Sequence, residues 1–455
     1  MSSVSKNQGA SSATSSGSTR GIAPAIGFAA ALACGLLSKH KLSRSRASWI
    51  AKNLGGVDEG DESSKPVTER RNKFSENMHK ASAAEMFDIA YNVDRQLVDS
   101  FSEYPSLLSD EKLALVERSI SAVSAALRTG TQRIVVSGSG TSGRIGFYAA
   151  RKYNALLKRL GQPELFGYTI SGGDSAFLLS DELPEDDPQA GVQDLRTVCG
   201  GDKPCLIIGI TCGLSAPYCA GQVDFVLDKI AEEERSGAAS SGYSAILMGF
   251  NPAELARNVT IERWADRRTG SKTVRDVVLR VADKMSATAP SAEQRAVLLN
   301  PIIGPELVCA SSRMKGGSIA LILLETIFTR AILEVFGEEV GEQLPPTPAE
   351  ATTAASASSI IQAYSACIDE TYSAENKAVL APLLDLACNS LGSGGHLYWI
   401  GERTSSENIV AGAGNGGVLA LIDQSEMPDT YGCPFSDIRG FVPDRWVPFV
   451  ASHAS

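Results

Sequence analysis

The chain has 455 residues, of which 43% are apolar and 6% aromatic, and a formal net charge of −10. That size allows two or three domains with sizeable cores. With no block of like charge longer than a few residues, it argues against a nucleic-acid partner, whose phosphates require grouped Lys and Arg. Nine cysteines without a C-x-x-C pair, and four dispersed histidines (His40, His79, His396 and His453), argue for free thiols and against a zinc site or a histidine-dependent triad.

Residues 1–57 contain neither Asp nor Glu, are rich in Ser, and carry scattered Lys and Arg around an apolar run from Gly21 to Leu37. Three readings stay open: an organellar transit peptide, a short signal anchor, or a plain extension without structure. The acidic stretch Asp58–Glu62 separates this segment from the rest.

From Pro66 onward the pattern is that of a folded domain. Periodicity predicts amphipathic helices over Ser82–Phe101 and Asp110–Thr129. The β-branched run Arg133–Val136 leads into the loop Gly138-Ser139-Gly140-Thr141-Ser142-Gly143-Arg144, and Ile145–Arg159 reads as helix. Strand, Gly-rich loop and helix open a parallel α/β unit. Further strands are expected at Leu165–Ile170, before Ser171-Gly172-Gly173-Asp174, and at Cys205–Ile210, before Thr211–Pro217. Two more follow at Tyr243–Met248 and Val297–Leu299. Near-continuous apolar strands with helical crossovers predict an α/β fold, a parallel sheet with helices on both faces. The loops after its strand C-termini should share one ligand-binding edge.

A second unit is expected from about Thr352, with helices Ile360–Tyr372 and Asn376–Leu391, a strand Gly395–Gly401 and a segment Val418–Glu426. Too little chain follows to complete another sheet, so this unit reads as incomplete. The expected division is an extension over 1–62, a first domain over 63–345 and a second over 346–455.

Two loops carry recognisable chemistry. Gly138–Arg144 joins a strand to a helix, where backbone amides and the positive helix end favour an anion. Gly140 and Gly143 permit close approach, while Ser139, Thr141 and Ser142 add hydroxyls for phosphate oxygens. The loop lacks both the dinucleotide fingerprint and the GK[ST] ending of a P-loop, so neither NAD nor ATP is indicated, and no cofactor or metal is expected. Its alternative is a tight packing turn. The second loop offers Thr211, Cys212, Gly213 and Ser215 after an apolar strand; its alternative is that Pro217 simply begins a helix. Glu182, Glu185, Asp186 and Asp187 form an acidic cluster, a solvated loop or a source of one carboxylate for sugar hydroxyls or proton transfer. Ser311–Ser318 is either a capped helix start or a positively charged wall beside a ligand.

Taken together, GSGTSGR, ISGGD, EDDPQAG, GITCGLSAP, GFNPAELARN, NPIIGPE and SSRMKGGS, with the opening Pro66–Asn72, resemble the glucokinase regulatory proteins and the related bacterial N-acetylmuramic acid 6-phosphate etherases. The likeness runs from about Pro66 to Phe441, and GLSAP, GFNPAELARN and the tandem arrangement are closer to the regulatory proteins. The resemblance implies two sugar-isomerase (SIS) units with a fructose phosphate between them. It implies ligand-binding roles for Thr141, Ser142, Glu185, Thr211, Cys212, Gly213 and Glu426, to which the loops add Ser139 and Ser215. Of the two etherase glutamates, one matches Glu185 and the other matches Lys152, which cannot act as a carboxylic proton donor. Glu426 stands at the corresponding place of the second unit, so a lyase releasing D-lactate with Glu185 and Glu426 as its catalytic pair is the alternative. The second unit departs from the family by an insertion, Glu402–Gly414, before its own phosphate loop, which is therefore not functional as written; the family's C-terminal lid is missing. The expectation is a non-catalytic sensor of fructose 6-phosphate or fructose 1-phosphate that regulates a glucokinase or hexokinase. It has no nucleic-acid or membrane partner and is cytoplasmic or nuclear, or organellar through residues 1–57.

Overall fold

The computed structural model describes residues 65–177, 183–237, 242–261, 264–266, 270–287, 295–309, 314–337, 356–393, 397–398 and 436–437. The N-terminal extension and most of the expected second unit, including Glu426, lie outside the described residues.

Two helices, α1 (Ala83–Arg95) and α2 (Asp110–Thr129), precede the sheet. Ser82 and Glu85 form a reciprocal capping box on α1, and Gly130, with a φ of +65°, closes α2. The alternating part then runs β1 (Arg133–Gly138), α3 (Gly140–Arg159), β2 (Phe166–Ile170), α4 (Pro188–Cys199), β3 (Cys205–Ile210), α5 (Pro217–Ser236), β4 (Ser244–Met248), α6 (Val274–Ala287), β5 (Ala296–Leu299) and α7 (Lys315–Phe336). The five strands form one parallel sheet in the order β2-β1-β3-β4-β5.

Successive strand residues point to opposite faces. Ile134, Val136, Leu206, Ile208, Ile246 and Val297 join one core with α2, α3 and α7. Val135, Ile207, Ala245, Leu247 and Leu298 join the other with α4, α5 and α6. Both faces are covered, which is why the strands read as unbroken apolar runs. The chain passes from β1 to β2 on one side, then crosses back to β3 on the other. That reversal leaves a crevice beyond the C-terminal ends of β1 and β3, where ligands bind in open α/β sheets.

Helices α8 (Ala357–Thr371) and α9 (Ala374–Gly392) follow. Leu380, Ala381 and Leu384 of α9 pack with Met86, Phe87 and Ala90 of α1, and Ile361 of α8 joins the core shared by α2 and α7. A short parallel pair, β6 (Leu397–Tyr398) with β7 (Ser436–Asp437), ends the described part.

Candidate functional site

At the crevice, α3 begins two residues after β1 ends, so Thr141, Ser142 and Gly143 form the first helical turn rather than a separate loop. Gly140 has a φ of +50°, which favours glycine. A Cβ on Gly143 would lie 2.5 Å from Ile170 Cγ1 and 2.8 Å from the Gly138 carbonyl oxygen, so only glycine lets the helix sit this low on β1 and β2. The Ser142 amide donates to the Ser139 carbonyl at 3.0 Å, and the first turn carries the positive end of the helix. Ser139 stands at the cap position but makes no side-chain capping bond. Ser139 Oγ and Thr141 Oγ1 are buried without a hydrogen-bond partner. An unmatched buried hydroxyl costs free energy that a ligand oxygen can recover. Ser142 differs: its Oγ lies 3.7 Å from Cys212 Sγ, linking the two loops.

In the second loop, Thr211 Oγ1 accepts the amides of Ser215 (2.9 Å) and Ala216 (3.0 Å) and so shapes the entry into α5, which Pro217 begins. Burial pushes the Cys212 thiol up to about 12, with the nearby Glu306 and Glu185 charges adding to the rise, so this sulfur stays protonated. Leu214 holds a φ of +52°, strained for a residue with a Cβ, and its amide donates to the Thr211 carbonyl at 2.8 Å. Asn251 secures the turn. Its Nδ2 donates to the Gly213 carbonyl (3.0 Å) and to Thr68 Oγ1 (2.9 Å), and its Oδ1 accepts the Thr68 amide (3.0 Å). Asn72 Nδ2 donates to the Pro305 carbonyl at 2.8 Å. The Pro66–Asn72 motif is thus a strap across the sheet edge, and it brings Glu69 beside Gly213, whose Cβ would lie 3.9 Å from Glu69 Oε1.

A second helix start abuts the same place. A Cβ on Gly317 would lie 3.4 Å from Thr141 Cγ2, and one on Gly316 would lie 2.9 Å from Cys212 Sγ. The amides of Lys315 (2.7 Å) and Gly316 (2.9 Å) already donate to the buried Glu306 carboxylate. The start of α7 is therefore closed by a protein anion. Burial raises the Glu306 pKa and lowers that of Lys315, each opposed by the other's charge. The charged wall expected over Ser311–Ser318 is corrected at Lys315. This side chain is fully buried and donates to Gln96 Oε1 (2.7 Å) and the Pro305 carbonyl (3.0 Å), because an ammonium inside a core needs acceptors. Arg313 lies outside the described residues.

The acidic cluster divides by task. Asp187 caps α4 by accepting the amides of Gln189 and Ala190, each at 3.0 Å. Asp186 accepts from Arg257 Nη1 at 2.5 Å, and the same guanidinium reaches the Ser215 carbonyl at 3.3 Å. Arg257 thereby draws the half-buried Glu185 and its loop toward the Thr211–Ser215 turn. Glu182 and Glu426 lie outside the described residues. Lys152 belongs to the core: its Nζ pairs with the Glu325 carboxylate of α7, both side chains being 8% exposed. Tyr364 of α8 donates to the same carboxylate, and Tyr153 donates to the Glu325 carbonyl at 3.1 Å. Sequence reading missed Glu306, Asn251 and Thr68 as site supports, although all three stand within quoted motifs. Among the described residues no group of three or more His, Cys, Asp or Glu is placed to hold a metal ion, and no helix is long and apolar enough to cross a membrane.

Residues 116–227 match the family model of the glucokinase regulatory protein N-terminal SIS domain. The chain is 33% identical over 388 residues to the glucokinase regulatory proteins of Xenopus laevis and Homo sapiens, an alignment covering 84% of this chain. It spans about half, 55%, of the length of each. It is also 26% identical over 274 residues to the N-acetylmuramic acid 6-phosphate etherase of Aliivibrio fischeri, covering 60% of this chain and 72% of that protein. Over residues 116–227 this chain is therefore similar to the glucokinase regulatory protein N-terminal SIS domain.

Proposed function

We propose that the chain binds a phosphorylated sugar, fructose 6-phosphate or fructose 1-phosphate, and acts as a non-catalytic regulator of a glucokinase or hexokinase. The observation that carries the reading is the open start of α3, where Ser139 and Thr141 present buried, unpartnered hydroxyls beside a helix end that favours an anion. Glu185, held near Ser215 through Arg257, is the acceptor for a sugar hydroxyl, and Gly213 and Cys212 line the far side. On the family resemblance alone, Glu426, which lies outside the described residues, is the second carboxylate offered to the same ligand. A cytoplasmic or nuclear location accords with this role, residues 1–57 being the element that would redirect it to an organelle.

Lys152 weighs against etherase chemistry built from the first unit alone, leaving Glu426 as the second carboxylate of that alternative. A lyase that breaks the lactyl ether needs an acid and a base, and Lys152, at the position matching one etherase glutamate, is committed to Glu325 inside the core. Incubation with N-acetylmuramic acid 6-phosphate should release no D-lactate. Steady release that is lost in Glu185→Gln would replace the regulator by the enzyme.

A further inference from the structure

The loop after β2 carries a third unmatched hydroxyl. Ser171 is 5% exposed, and its Oγ is buried without a hydrogen-bond partner, as are those of Ser139 and Thr141. Its position is fixed by the sheet. Gly138 pairs with Ile170 in the parallel register, and the Ser171 amide donates to the Gly138 carbonyl at 3.1 Å. Ser139 and Ser171 are therefore the next residues along two adjacent strands. Arg144, just after the first turn of α3, ties the rest of this loop down by donating to the Ala176 carbonyl at 2.8 Å. The loop also reaches the Glu185 segment, since a Cβ on Gly172 would lie 3.7 Å from Pro184 Cγ.

We infer that Ser171 is a phosphate-binding residue, its hydroxyl donating to a ligand phosphate oxygen alongside Ser139 and Thr141. Buried polar groups in native proteins are matched almost without exception. Three unmatched hydroxyls at adjoining strand and helix ends are therefore accounted for together by one ligand with several acceptor oxygens. A phosphate monoester has three, the number of hydroxyls present. The anion then lies across the ends of β1 and β2 as well as beside α7, with Glu185 next along the loop for the sugar. This inference rests on the sugar-phosphate reading of the same crevice and adds a residue and a direction to it.

Inorganic phosphate and fructose 6-phosphate titrated into the full chain and into Ser171→Ala, with thermal unfolding of each free protein, form the test. Both ligands should bind wild type, and the variant should bind each about tenfold or more weakly, as loss of a hydrogen bond to a charged group implies. The Tm of the free variant should hold or rise, because an unmatched buried hydroxyl has been removed. Equal affinity in the variant, or a lowered Tm, overturns the role of Ser171 and leaves the sugar-phosphate reading standing. Wild type that binds phosphate but not fructose 6-phosphate overturns that reading, while a tenfold loss of phosphate affinity in the variant still upholds Ser171. Wild type that binds neither overturns both.

Discussion

Thr141 and Ser142 are neighbours with the same functional group and different circumstances. The Thr141 hydroxyl is buried and unmatched, whereas Ser142 is bonded to Cys212 across the crevice. Thr141→Ala should therefore weaken sugar-phosphate binding by about 1.5–3 kcal/mol, on the order of tenfold or more. Ser142→Ala should instead lower the Tm slightly through the lost link to Cys212 and change affinity less. Calorimetric titration of both variants checks the contrast. The Gly-Ser-Thr run at a strand end reads in the sequence as an anion loop, with a tight packing turn as its alternative. Which hydroxyl was already engaged was not legible, since Cys212 lies far along the chain and only the fold brings it within 3.7 Å.

The strands were the most legible elements. Cys205–Ile210 stands where the apolar run placed it, and the other four agree to within two residues, because strands buried on both faces leave a continuous hydrophobic signature. The start of α3 was less legible. Gly140, Thr141, Ser142 and Gly143 are weak helix formers, so local preference delays the helix to Ile145. Packing of Gly143 on Ile170 and of Gly146 against Val136 overrides that preference. The pairing of Lys152 with Glu325 was invisible, since α3 and α7 are joined only by tertiary structure. That pair locks α3 to α7, and Tyr364 extends the link to α8. Lys152→Met should leave Glu325 as a buried charge without its counter-ion and cost about 3–5 kcal/mol in urea unfolding. The double variant with Glu325→Leu should recover part of that loss. If the single variant is as stable as wild type, the pair does not hold the helices together.

The whole molecule brings two helix starts to one crevice and distinguishes them by charge. Glu306 closes α7 with a carboxylate, while at the start of α3 the Ser139 and Thr141 hydroxyls stay unmatched. The strap from Pro66 to Asn72 and the Asn251 bonds hold the edge in place around them. This arrangement underlies the proposal of one anion at the start of α3, with Glu185 as the acceptor for whatever that anion carries. Isothermal titration of fructose 6-phosphate into the folded chain tests this arrangement as a whole. The expected result is saturable binding that Thr141→Ala weakens by about tenfold or more. Absence of heat with fructose 6-phosphate and with fructose 1-phosphate, on protein shown to be folded, would contradict it.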